Sequence, residues 1–168
     1  MMIHSAKAII SGTVSASPST VQEAATYTFV MNMDSLVASG GFFTIVFPSS
    51  YDFSDQTTTT ETKTCTALSG FGTIILFADL TCTLNQSSRT LTMTVNAQTT
   101  ARSLSFTVAS IKNPTYAVTT SSLFITAYNT TSILLEQSDS SFFITPTTGS
   151  ITATLTPING VAGARVRY

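Results

Sequence analysis

Apolar and polar residues alternate with a period of two along most of this chain, the mark of half-buried β-strands. Between Arg89 and Asn96, Leu91, Met93 and Val95 point one way while Thr90, Thr92 and Thr94 point the other. Tyr27, Phe29, Met31 and Met33 alternate with Thr28, Val30 and Asn32; Leu104, Phe106 and Val108 repeat the pattern, as do Leu123, Ile125 and Ala127. Phe43, Ile45 and Phe47 follow a Gly40-Gly41 turn, and Pro48 ends that strand because it cannot donate to a ladder. Residues 72–78, 79–84, 132–136, 141–145 and 150–156 are further candidate strands. Turn-forming clusters separate nearly all of them: Asn85-Gln86-Ser87-Ser88, Asn113-Pro114, Asn129-Thr130-Thr131-Ser132 and Gln137-Ser138-Asp139-Ser140.

Composition sharpens this picture. Thr contributes 33 and Ser 23 of the 168 residues, while charged residues make up 9% and apolar residues 43%. Residues that fit a pleated surface are abundant and strong helix formers are scarce. About nine antiparallel strands and no helical period predict an all-β fold, an immunoglobulin-like β-sandwich, with a closed barrel as the alternative. The chain has no Trp, so the likeness to antibody domains is one of architecture alone. A net charge of −1 without any basic run argues against a nucleic-acid surface, which needs cations to displace counterions from phosphate. No stretch reaches the ~18 consecutive apolar residues of a membrane span. The first ten residues lack the basic and long apolar regions of a signal peptide, so either the chain is not secreted or it is a piece of a longer secreted chain, and the other features favour the second.

The two ends echo each other. Gly12-Thr13-Val14-Ser15-Ala16-Ser17 aligns with Gly149-Ser150-Ile151-Thr152-Ala153-Thr154 at an offset of 137, and a two-residue insertion brings Pro18 onto Pro157. Such an echo is the signature of a tandem array. It divides the chain into a tail or end of a preceding module (1–10), one module (11–148), and a linker with the first strand of a following module (149–168).

A Ser/Thr-rich opening strand ending in Pro18 is followed by Ala25-Thr26-Tyr27-Thr28-Phe29 and Gly41-Phe42-Phe43-Thr44-Ile45-Val46-Phe47-Pro48. Next come Cys65 and Cys82, then Arg89-Thr90-Leu91-Thr92-Met93, and finally Ile111-Lys112-Asn113-Pro114 ahead of Ser122-Leu123-Phe124-Ile125-Thr126-Ala127-Tyr128. In order and character these segments resemble the repeat modules of very large surface-associated proteins of ciliates and related protists. The resemblance covers most of residues 11–157. It implies extracellular, tandem, non-enzymatic modules and carries over no functional residue.

Candidate chemistry is sparse. Cys65 and Cys82 are the only cysteines, and an even count in a secreted-looking chain suggests one disulfide tying the base of a loop around Gly70-Phe71-Gly72. Two buried thiols or a metal pair are the rival readings, the second needing two more ligands. Asn85-Gln86-Ser87 and Asn129-Thr130-Thr131 are N-glycosylation sequons in predicted turns. Thr57-Thr58-Thr59-Thr60 and Pro146-Thr147-Thr148 are compositional candidates for O-linked sugar. Asp52 and Asp55 invite a calcium reading, against the plainer one of a solvated acidic turn. Tyr51, Tyr116 and Tyr128 lie near loops and could stack on a sugar. Catalysis has little to work with: His4 is the only imidazole and sits in the tail.

The sequence therefore predicts a non-enzymatic structural repeat without cofactor, extracellular or at the cell surface. Its expected partners are neighbouring copies and covalent glycans. An adhesin or lectin-like glycan- or cell-binding module is the alternative. In 150–156, Ile151, Ala153 and Leu155 share a face that needs burial. A lone strand is not stable in water, so this segment is expected to link to a neighbouring module by strand addition.

Overall fold

A computed structural model describes residues 9–53, 59–72, 80–100, 102–139 and 142–149. Among them are ten strands and no helix: β1 Ile9–Ser17, β2 Ala24–Asn32, β3 Phe42–Val46, β4 Thr60–Lys63, β5 Cys65–Ser69, β6 Leu80–Asn85, β7 Thr90–Val95, β8 Ser103–Lys112, β9 Phe124–Tyr128 and β10 Leu134–Ser138. With no helix there, none of these residues forms a membrane-spanning helix.

The strands join in one hydrogen-bonded row, β4-β6-β7-β3-β9-β10-β1-β2-β8-β5. The end strands of that row, β4 and β5, are separated in sequence only by Thr64. The sheet is thereby nearly closed into a barrel, where a sandwich had been expected. The chain turns two corners. β4–β5 passes from β6 to β8 within one residue. β1 runs parallel to β10 at Ile9 and Ile10, then pairs antiparallel with β2 from Ser11 to Ser17. All other pairs between these strands are antiparallel, so the β1–β10 contact departs from an all-antiparallel expectation.

Gly12 sits where β1 changes partner. Its φ is +155°, and a Cβ there would lie 2.0 Å from the Val30 carbonyl oxygen. Only glycine tolerates that approach.

Alternation places the core as the sequence predicts. Tyr27, Phe29, Met31, Phe43, Ile45, Leu91, Met93, Leu104, Phe106, Ile125 and Ala127 are buried. Phe29 stacks on Phe106 with ring centroids 4.9 Å apart, and Phe71 meets Phe106 edge-on. Each buried large apolar side chain contributes about 1.5–3 kcal/mol against exposure.

Other expectations fare differently. Of the candidate strand 141–145, the described residues 142–145 form no strand: Phe142 and Ile144 are buried, but their carbonyls are taken singly by Leu123 and Thr120. β4 and β5 arise where a loop was expected. Candidate strands 72–78 and 150–156 lie, apart from Gly72, outside the described residues.

Candidate functional site

β1 runs from one end of the barrel to the other and defines its two poles. At the near pole lie Ile9, the β9–β10 turn and the loop after β2. At the far pole lie Ser17, the β6–β7 turn and the segment after β3. This assignment follows from strand pairing: Ser17 pairs with Thr26, Asn32 with Ser103, Phe42 with Tyr128, and Val46 with Thr90.

The far pole is held by a buried polar network. The Ser17–Pro18 peptide is cis. Asn113, 1% exposed, donates from Nδ2 to the carbonyls of Pro18 (2.9 Å) and Thr20 (2.7 Å). Its Oδ1 accepts the Tyr27 hydroxyl at 2.7 Å, and the Tyr51 hydroxyl lies 3.4 Å from that of Tyr27. The Asn113 side chain thereby uses both donors, as a buried amide must. Burial pushes Tyr51 up to about 12, its hydrogen bond with Tyr27 opposing the rise. Burial also raises Tyr27 far above the usual phenol range, with the neighbouring Tyr51 adding to the effect. Thr147 docks on the same pole: its N–H donates to Ser19 O, and its carbonyl accepts from Val21 N, both at 2.9 Å.

The near pole has a different clamp. Glu136 of β10 is fully buried and accepts the backbone N–H groups of Asp34 (3.1 Å) and Ser35. Sequence reasoning missed this carboxylate. The one available signal was a Glu inside an otherwise apolar strand pattern. The neighbouring Arg102–Asp34 pair, 3.9 Å apart and about three-quarters exposed, adds little.

The two sequons occupy opposite poles. At the far pole, Asn85 Oδ1 accepts Ser87 Oγ (2.9 Å) and Ser88 N (3.1 Å), an Asx-type turn that closes the β6–β7 hairpin. At the near pole, Asn129 Oδ1 accepts Thr131 N (2.9 Å), Thr131 Oγ1 (3.0 Å) and Ile133 N (2.8 Å). In both, the hydroxyl of the third sequon residue bonds the Asn oxygen and leaves the amide nitrogen without a described protein acceptor.

Cys65 and Cys82 form a disulfide with Cα atoms 6.1 Å apart. It joins the end strand β5 to β6, the second strand from the other end of the row, across the open seam of the barrel. Lys63 crosses the same seam, its Nζ donating to the Ser110 carbonyl and pairing with Glu61, both at 2.9 Å.

Asp52 is exposed between buried Tyr51 and Phe53, while Asp55 lies outside the described residues. Among the described residues, no three His, Cys, Asp or Glu side chains converge as a metal site would require. Tyr51 is 2% exposed and packs against Phe47, which removes it from any sugar-stacking role; Tyr116 is 70% exposed, and Tyr128 stacks on Phe42. His4, Thr57, Thr58, Ile151, Ala153 and Leu155 lie outside the described residues, whereas Thr147 and Thr148 are exposed at the far pole.

One geometric relation ties these features together. The chain starts β1 at Ile9, beside Gln137, and Thr147 pairs in parallel with Thr20 beyond the end of β1. Ile9 and Gly149 therefore stand at opposite poles, separated by the roughly 27 Å length of a nine-residue strand. No family model, no curated protein and no solved structure matches this chain.

Proposed function

We propose that this chain is a structural module of an extracellular surface or filament glycoprotein, joined end to end with copies of itself. The observation that carries this reading is the polarity of the chain path. A module entered at one pole and left at the other passes tension along its length and places its neighbours in line.

The internal echo supports the same reading. The residues shared by 12–18 and 149–157 are those the fold demands of a first strand. Gly12 avoids the Val30 carbonyl, Val14 is buried, Ala16 packs partly buried against the core, and Pro18 turns the chain onto Asn113. Their counterparts Gly149, Ile151, Ala153 and Pro157 would serve a following β1 in the same way. In this reading the finer architecture is a sandwich-like bead, with β1 and β4–β5 as corner strands between two layers. The disulfide fits an oxidising compartment, and sequons in surface turns at both poles fit sugar attachment. Electron microscopy of the purified protein tests the proposal. Linear particles with an axial repeat of one module, longer than the roughly 30 Å of a ten-residue strand, are expected; dispersed compact particles at every concentration would overturn it.

A further inference from the structure

The two sequons have similar turns but different surroundings, and the difference lies in Tyr128. This residue ends β9 immediately before Asn129 and pairs with Phe42 of β3 on one side and Leu134 of β10 on the other. Phe43 and Ala127 point into the core, so Phe42 and Tyr128 point outward. Their rings stack with centroids 4.9 Å apart and planes 19° from parallel. Leu134, 39% exposed, extends the apolar row, and Ile133, 61% exposed, flanks it. A half-buried aromatic pair flanked by exposed aliphatic side chains thus runs up to the turn that bears Asn129. Among the described residues Asn85 has no such neighbour: Leu84 before it is fully buried, and its cross-strand partners are Thr60 and Thr90.

We infer that the first sugar of an N-linked oligosaccharide on Asn129 packs on this Tyr128–Phe42–Leu134 row, making the β9–β10 turn a corner stabilised by its glycan. The inference rests on the glycoprotein reading above and specifies what one of its sugars does. An amide is planar, so three hydrogen bonds to Asn129 Oδ1 fix the plane and turn Nδ2 away from the hairpin interior. The linkage forms when Nδ2 displaces the diphosphate of an activated oligosaccharide at the anomeric carbon of its N-acetylhexosamine. The new C–N bond replaces the C–O bond to diphosphate, and Nδ2 loses one proton. The first ring is then held within one residue of the Tyr128 side chain. Its C–H face carries slight positive charge and meets the negative face of an aromatic ring, while apolar area leaves water. Asn85 would carry its sugar into open solvent.

The test is a cycle over sugar and ring in the full chain, expressed through a secretory pathway that attaches N-linked glycans. Intact mass before and after amidase treatment reports occupancy. Thermal unfolding then compares glycosylated with unglycosylated protein of the same sequence, which keeps the hydrogen bonds to Asn129 Oδ1, in the parent and in Tyr128→Val. The sugar on Asn129 is expected to raise Tm by about 2–4 °C with Tyr128 present and by less than about 1 °C in Tyr128→Val. Because Asn85 Oδ1 also closes the β6–β7 turn, Asn85→Gln is measured with and without N-glycosylation, and its effect on Tm should be the same within about 1 °C in both. Protons of the first sugar should also show a ring-current shift and cross-relaxation with the Tyr128 ring, a readout independent of variant stability. An unglycosylated Asn129 would defeat the glycoprotein reading at this site and the inference with it. Full occupancy with a Tm gain indifferent to Tyr128, or a sugar remote from the ring, would defeat the inference alone.

Discussion

Gly12 and Asn113 each answer a backbone problem that no neighbour can solve. At Gly12 the chain leaves β10 for β2 with a positive φ, and the Val30 carbonyl fills the space a side chain would need. Gly12→Ala should cost about 2–3 kcal/mol through strain and displacement of β2, read as a lower urea midpoint at unchanged slope. A loss below about 0.5 kcal/mol would show that the corner is not as tight as described. At the far pole, Tyr27 and Tyr51 make stability depend on pH. Both folded pKa values lie above the ordinary 10.0, that of Tyr51 at about 12. The unfolded chain therefore releases these protons first as pH rises. Their contribution is complete below about pH 10 and is lost as pH climbs through about 12. Tyrosinate absorbance should show the two phenols ionising together with unfolding, and Tyr27→Phe/Tyr51→Phe should flatten the alkaline loss. Ionisation of all described tyrosines near pH 10 in a still-folded protein would contradict the network.

At the scale of elements, sequence legibility follows from who supplies the burial. β2, β7 and β8 have one apolar face against the core and a Thr-rich face outward, so alternation locates them directly. β4 carries Thr60-Glu61-Thr62-Lys63, with no apolar residue at all; its inward positions are Glu61 and Lys63, satisfied by each other and by the Ser110 carbonyl. No periodicity can announce such a strand. In β10 the pattern inverts: Leu134 is exposed while Glu136 and Ser138 are buried, because a bulge after Leu134 turns Glu136 onto the Asp34–Ser35 backbone. The two sequon turns were legible from composition, but the Phe42–Tyr128 stack needed the β3–β9 register. The Cys65–Cys82 bridge was legible as a pair, though its place across the barrel seam was not. Replacing both cysteines by alanine should remove about 3 kcal/mol, the loop-closure value for a separation of this length, and in the unaltered chain two thiols should react with a labelling reagent only after reduction. Equal stability with and without the bridge would mean that Lys63 and the β5–β8 ladder already close the seam.

For the whole molecule, one polarity governs the account. β1 enters at the near pole, Thr147 and Gly149 stand at the far pole, and the echo of β1 begins there. Strand addition to a neighbour would load many ladder bonds at once, which suits a joint under tension. The most direct test compares the full chain with a chain ending at Thr148 by analytical ultracentrifugation and electron microscopy over a wide concentration range. The full chain is expected to form linear, end-to-end species, the shortened chain to remain a folded monomer, and Ile151→Asp/Leu155→Asp to behave like the shortened chain. Equal assembly of all three, or a full chain that stays monomeric throughout, would contradict end-to-end joining.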